Sequence, residues 1–352
     1  MDNLVYQRFD SFNHADTFFD TLKRDYEEFP VWLHNKSMAG DSAYVLYNEE
    51  PSIDGFMYLK IEDGVVDDIE PILPQGKHLK IGTFKFNSKG SLRGQRFIKK
   101  ALDYAVREKV DDIYVTVFEV HDYLIRLFER YGFVLHGRKE TPNGVERVYV
   151  RVMKVCHHDV LRDYPYISTT SNSKFLLSIL PAHHTKLFPD SILNNESADI
   201  VEDVSHTNSI HKIYLCAMSG IMEAQKGDLL LIYRMTDIPG RAFYRAVATS
   251  VCVVEEVRNI NEFISLEEFL GYCSRFSVFS RADLIRFYNT KRYPFIVRFT
   301  YNIALPKRPI RGTLITEVGL DASAYWGVLK LTDSQFEHIL NLGEVDESLI
   351  IN

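Results

Sequence analysis

The sequence predicts two domains in series. Residues 1–155 read as a mixed α/β domain, residues 205–352 as a mainly β domain with short helices, and 156–204 as an irregular connecting segment. Three observations predict this. The chain has 352 residues, more than one average domain holds. Helical and strand-like patterns alternate up to about residue 155, whereas short β-rich runs dominate after 205. Between them, Pro, Ser, His and Asn cluster without apolar periodicity.

The elements follow in order. Residues 14–36 carry Phe18, Phe19, Leu22, Tyr26, Phe29 and Trp32 at helical spacing, with Asp16 placed to cap. Strand-like runs cover 43–47, 55–61 and 79–86. The third leads through Asn87-Ser88-Lys89-Gly90-Ser91 into a helix from about 94 to 109. A β-branched strand spans 113–118, and a helix over 121–131 is stopped by Gly132. A hairpin over 133–138 and 147–154 turns at Pro142-Asn143-Gly144. In the second half, strands are expected at 211–217, 228–234, 245–255, 296–303 and 327–331, and helices near 265–273, 281–289 and 333–340. Such a pattern suggests a barrel or half-barrel.

Composition is that of a soluble globular protein, with 46% apolar and 25% charged residues. No run approaches the roughly 18 apolar residues that a membrane span needs. The start, MDNLVYQRFDSF, lacks the basic and apolar regions of a signal peptide, so a cytoplasmic location is expected. The four cysteines (Cys156, Cys216, Cys252, Cys273) are widely spaced and read as reduced thiols. Cys156-His157-His158 and His183-His184 lack ligand spacing, so no metal is expected. Net charge is −7 but uneven. Residues 1–75 hold sixteen acidic and five basic side chains, while 284–316 hold seven basic, no acidic and six Phe or Tyr residues.

The stretch LKIGTFKFNSKGSLRGQRFIKKALDYAVREKVDDIYVTVFEVHDYLIRLFERYGF resembles the core of GNAT acetyltransferases, best over 79–133 and by element order over 1–155. The resemblance implies a mixed sheet flanked by helices, with acetyl-CoA as cosubstrate. A strand, a basic Gly-containing loop and a helix N-terminus would hold the CoA pyrophosphate through backbone N–H groups. The corresponding residues are Arg93, Gly94, Gln95, Arg96, Phe97 and Ile98, with charge added by Arg93, Arg96, Lys99 and Lys100. The family's usual glycines fall on Arg96 and Ile98, so an ordinary basic helix start remains the other reading. The strands 81–86 and 113–118 would splay and admit the pantetheine arm beside Phe84 and Phe86.

The family pattern of the next helix lands on His121, Leu124, Phe128, Gly132 and Phe133. Where the family commonly keeps a Tyr to protonate the leaving thiolate, this chain has Phe128. Tyr131 and Tyr123 are the substitutes. An amine would attack the thioester while a strand amide steadies the oxyanion. Glu62, Asp63, Glu70 and Glu119 are base candidates, or else a solvated acidic face.

In the second half, HKIYLCAM, KGDLLLIYRMTD and FYRAVATSVCVVEEV resemble PUA-like domains of the ASCH and EVE type. The resemblance implies a small β-barrel that binds RNA or a modified base, with Lys212, Tyr214, Arg234 and Arg245 as inherited contacts. Arg286, Lys291, Arg292, Arg298, Lys307, Arg308 and Arg311 would track phosphates. Tyr288, Tyr293 and Tyr301 would stack bases, and Trp326 would wall a base pocket. Alternating aromatics in FIVRFTYNI equally describe a half-buried strand.

Together these readings imply an acetyl-CoA-dependent N-acetyltransferase whose PUA-like half presents an RNA or nucleotide-linked amine. The alternatives are a non-catalytic nucleic-acid or modified-base binder with a degenerate first half, and an acetyltransferase of protein or small amines.

Overall fold

The computed structural model describes residues 3–48, 52–87, 93–188 and 209–352. The chain divides into two compact units, residues 1–153 and 154–352. Residues 88–91 of the expected basic loop, and 189–204 of the connecting segment, lie outside the described residues. Among the described residues no helix is long and apolar enough to cross a membrane.

The first unit is built on a seven-stranded mixed sheet of order β1-β2-β3-β4-β5-β7-β6. Strand β1 (Asn3–Arg8), not expected from the sequence, forms one edge against β2 (Ser42–Tyr47). The helix expected over 14–36 is broken. The Asp16 carboxylate caps a short turn by accepting the Phe18 N–H at 2.8 Å, and two helices follow, α1 (Asp20–Asp25) and α2 (Phe29–Ala39). Pro30 explains the break: it has no N–H to give a preceding turn, but it fits the first turn of a new helix. Helix α2 stops at Gly40, whose φ of 72° suits glycine.

Strands β3 (Ile53–Val66) and β4 (Leu73–Phe86) form a long antiparallel hairpin. A right-handed crossover is the usual way to join parallel neighbours. Here α3 (Arg93–Glu108) links β4 to the parallel strand β5 (Asp112–Val117). Phe97, Ile98, Ala101, Leu102 and Ala105 form the buried stripe of α3. Helix α4 (Asp122–Arg130) ends before Gly132 (φ 85°), as its sequence predicts. Strands β6 (Val134–Thr141) and β7 (Gly144–Val152) make the expected hairpin.

Helices α1 and α2 pack on one face of the sheet, where Phe19 meets Phe56 and Trp32 meets Tyr58 at ring separations of 5.4 Å. Helices α3 and α4 cover the other face, where Phe84 lies 5.7 Å from Phe97 and 5.1 Å from Phe128. Strand alternation therefore sorts the residues of β3 and β4 beneath the helices to one helix pair or the other.

A charged histidine ties β4 to β5 below the helices. His78 Nδ1 lies 2.9 Å from both Asp112 carboxylate oxygens, and Nε2 lies 3.0 Å from the Gly64 and Pro74 carbonyl oxygens. Every neighbour is an acceptor, so both ring nitrogens donate and the ring is an imidazolium. Burial opposes that charge, but the Asp112 hydrogen bond and charge, with the two carbonyls, outweigh it and raise the His78 pKa. A raised folded-state value means that the stabilisation is complete below the unfolded pKa of about 6.5 and is lost as pH rises through the higher folded value. Protection of β3–β4 amides from exchange, corrected for intrinsic rates, should fall as pH rises above about 6.5. The decline should be absent in His78→Gln. A flat profile in the unaltered chain would contradict the imidazolium.

The second unit carries a six-stranded mixed sheet of order β13-β8-β10-β11-β12-β9. Five of its strands stand where expected: β9 (His211–Cys216), β10 (Leu229–Arg234), β11 (Val247–Asn259), β12 (Phe295–Ala304) and β13 (Val328–Leu331). The sixth, β8 (Lys174–Ile179), lies inside the segment expected to be irregular and pairs in parallel with β10. Among the described residues the sheet is open, with β13 and β9 at its edges, and does not close into a barrel; the sequence suggested a barrel or half-barrel. Helices at Leu266–Cys273, Arg281–Thr290 and Asp333–Leu342 match expectation and start on Ser265, Ser280 and Thr332 side-chain caps.

Candidate active site

The site begins with a missing ladder. Strands β4 and β5 pair only from His78 opposite Asp112 to Ile81 opposite Val115. Beyond that point β4 stays with β3, from Thr83 opposite Tyr58 to Phe86 opposite Gly55. Strand β5 stays with β7, as far as Val117 opposite Arg147. The divergence starts at a bulge. The β3–β4 register slips between Tyr58–Thr83 and Leu59–Ile81, which leaves Gly82 as the extra residue on β4. A bulge bends its strand and adds twist. Glycine suits the close approach, since a Cβ on Gly82 would stand 3.0 Å from the Tyr58 ring.

The splay opens into a cleft of about 670 Å³ whose walls come from both faces of the sheet. Phe84, Phe86, Val117, Tyr123, Leu124 and Phe128 line the α3/α4 side. Tyr26, Lys80, Lys85, Thr116, Asn143 and Glu146 line the α1/α2 side. The passage therefore runs through the sheet, largely apolar at one end and charged at the other. Its size is that of a pocket for a small molecule or cofactor arm.

The structure brings together four of the expected cofactor residues: Phe84, Phe86, His121 and Phe128 all line this cleft. The Arg93–Ile98 group instead forms the start of α3 and is absent from the cleft's described lining. Arg93 is buried, with its guanidinium 2.9 Å from the Asp54 carboxylate and 3.0 Å from the Asn87 carbonyl. The Arg93 side chain is therefore held inside the fold by these partners. Arg96, Phe97 and Ile98 are likewise buried, and Gln95 is half-buried. Gly94 has a packing reason: a Cβ there would stand 2.7 Å from both Leu127 on α4 and the Phe86 ring.

The expected catalytic residues are not assembled in the cleft. Tyr131 is 0% exposed, is not among its lining residues and packs at the end of α4. Tyr123 is the α4 tyrosine that lines the cleft, its ring 5.5 Å from Phe86. Glu62 also lies outside the lining. Burial would raise its pKa, but hydrogen bonds from Lys60 and Tyr114 overcome this and hold it as a carboxylate. Glu119 is exposed and paired with Arg147, whose place on β7 faces away from the α1/α2 side. Both carboxylates are thus ion-paired, Glu62 with Lys60 and Glu119 with Arg147.

Sequence reasoning missed Tyr26 and Glu146. Glu146 is 6% exposed, and the Tyr26 hydroxyl donates to its Oε1 at 3.2 Å. Nearby, Asn143 Nδ2 donates to both Glu28 carboxylate oxygens, at 3.1 and 3.0 Å. The spacing signal read Tyr26 as an apolar helix position. Glu146 offered none, since its partner lies 120 residues away.

Solved acetyltransferases of the GNAT family are similar to this chain. The Arabidopsis thaliana NAA60 structure in complex with acetyl-CoA is 17% identical and covers 44% of this chain and 100% of its own, at a TM-score of 0.33. A GNAT-family acetyltransferase from Elizabethkingia anophelis with acetyl-CoA bound is 10% identical, covers 44% and 100%, and scores 0.30. One from Streptococcus agalactiae is 14% identical, covers 38% and 79%, and scores 0.30. No family model matches the chain, and no curated protein matches it.

In the second unit five of the expected nucleic-acid contacts are internal. Lys212, Tyr214 and Arg234 are buried, and Arg245 forms a two-point pair with Asp237 at 2.8 and 2.7 Å. Trp326 is 8% exposed and packs in the core beside Tyr233, its indole N–H donating to the Asp321 carbonyl at 3.0 Å. Tyr301 is buried too. Lys212, Tyr214, Arg234, Tyr301 and Trp326 thus pack inside the second unit, while Arg245 is half-exposed in its pair with Asp237. Lys291 and Arg292 remain near the surface, Lys291 Nζ lying 3.7 Å above the Tyr288 ring.

Proposed function

We propose that the first unit is an acetyl-CoA-dependent N-acetyltransferase of the GNAT type. The observation that carries this reading is the through-sheet cleft made where β4 leaves β5 at the Gly82 bulge. Strand edges that face each other without a ladder offer N–H and C=O groups to the amides of a pantetheine arm. The apolar α3/α4 side accepts that arm between Phe84, Phe86, Leu124 and Phe128. The thioester then sits at the bulge, where a strand N–H can steady the oxyanion. An amine approaches from the charged α1/α2 side. Tyr123, in place of Tyr131, is the tyrosine positioned to protonate the leaving thiolate.

The finer reading gives the acceptor as an RNA or nucleotide-linked amine presented by the second unit. Its support is the acid-free basic run 284–316, with Lys291 and Arg292 as the surface contacts. Incubation of the full chain with radiolabelled acetyl-CoA and either total RNA or a protein extract tests both levels. Label in RNA, weakened steeply by salt, is the expected result. Label in protein alone would overturn the RNA acceptor. Label in neither, with no acetyl-CoA bound, would overturn the acetyltransferase.

A further inference from the structure

We infer that Glu146 is the group that takes the proton from the attacking amine, with Tyr26 as its positioning residue. This deepens the acetyltransferase reading and rests on it. The argument starts from the register of β7. Val117, the last residue of β5, pairs with Arg147, so Glu146 is the first β7 residue beyond the end of β5. Alternation puts Glu146 on the same face as Val148 and Val150, which pack with Tyr114 on the α1/α2 side. Arg147 faces the opposite way and takes Glu119 with it. Glu146 thus stands at the open end of the splay, on the side from which an amine enters.

Its surroundings suit the role. Tyr26 donates to one oxygen, which fixes the carboxylate without neutralising it. Burial first, and then the Glu146 charge, push the Tyr26 phenol pKa up, so Tyr26 stays a donor. The cross-strand neighbour Lys139 is bound to Asp68, and Lys85 to the Phe18 carbonyl and Thr21. Lys80 lies 3.9 Å from Glu62. Asp25, Glu28 and Glu140 add negative charge at the mouth. Of the four carboxylates that line the cleft, Glu146 is the buried one, and a carboxylate within reach of a reacting amine is an effective base.

The step balances. The amine nitrogen forms a bond to the thioester carbonyl carbon, and the carbon–sulfur bond breaks. One nitrogen proton passes to a Glu146 oxygen and from there to solvent. The leaving thiolate takes up one proton, so amide and free thiol are the products.

The test uses the full chain and acetyl-CoA, with water alone and then n-butylamine as acceptors, and thiol release as readout. Glu146→Gln keeps an oxygen that can accept from Tyr26, so the fold should hold, and circular dichroism checks this. The expected result is unchanged acetyl-CoA affinity by calorimetry, a rate lower by about 10²–10⁴-fold with both acceptors, and loss of the acid limb of the pH profile. Tyr26→Phe should lower kcat far less and leave that limb in place. A Glu146→Gln chain with the original rate and pH profile would overturn the inference while the acetyltransferase reading stands. A wild-type chain that binds acetyl-CoA but releases no thiol above background would also overturn it. Failure of the wild type to bind acetyl-CoA would remove both.

Discussion

Arg93→Ala should destabilise the first unit by about 3–5 kcal/mol, because it removes the guanidinium that pairs with the buried Asp54 carboxylate. The pair is almost wholly inside, with side-chain exposures of 6% and 3%. It fastens the start of α3 to β3 directly beneath the cleft. Urea unfolding of the full chain measures the loss as a lower midpoint of the first transition. Asp54→Asn in the same chain should recover much of it, since the buried negative charge is then removed as well. If Arg93 were instead a phosphate ligand, Arg93→Ala would weaken acetyl-CoA binding and leave the midpoint unmoved.

Gly94→Val should damage both the fold and the site. Its Cβ would fall 2.7 Å from Leu127 and from the Phe86 ring, and the branched methyls need more room still. Overpacking of this kind costs about 1–3 kcal/mol. The ring that must yield is a wall of the cleft, already in contact with Tyr123. Acetyl-CoA affinity should therefore fall at least about tenfold, beyond what the stability loss explains. Calorimetry at a temperature where the variant is fully folded separates the two effects. Wild-type affinity in Gly94→Val would mean that Phe86 does not shape the site.

The α3–β5–α4 run was legible because its information is local. A buried stripe at helical spacing, a β-branched run and a stopping glycine lie within about forty residues. The break between α1 and α2 was also written locally, in Pro30, but the apolar spacing on both sides hid it. Strand β8 was missed for a different reason. All six of its residues are buried, so KFLLSI shows no alternation to distinguish it from an irregular apolar stretch. The cleft was expected only through the family resemblance, since splaying needs no particular side chain and leaves no signal of its own in the sequence.

The chemistry inside it was not legible. Arg93 finds Asp54 across 39 positions and Tyr26 finds Glu146 across 120, and only the fold makes such pairs. Charge was misleading in the same way. Lys212 and Arg234 count as surface charge in a composition, yet both are buried in the second unit. Trp326 and Tyr301 likewise carry the stacking surface of a base-binding site but spend it on packing.

The most direct measurement is calorimetric titration of acetyl-CoA into the full chain and into Leu124→Trp. Leu124 is half-buried on α4 and lines the cleft, so a larger ring there fills the passage without entering the core. The expected result is saturable binding of one acetyl-CoA per chain by the wild type, and its loss in Leu124→Trp with unfolding unchanged. Equal affinity in the two chains, or no binding in the wild type, would contradict the claim that the splay between β4 and β5 is the acetyl-CoA site.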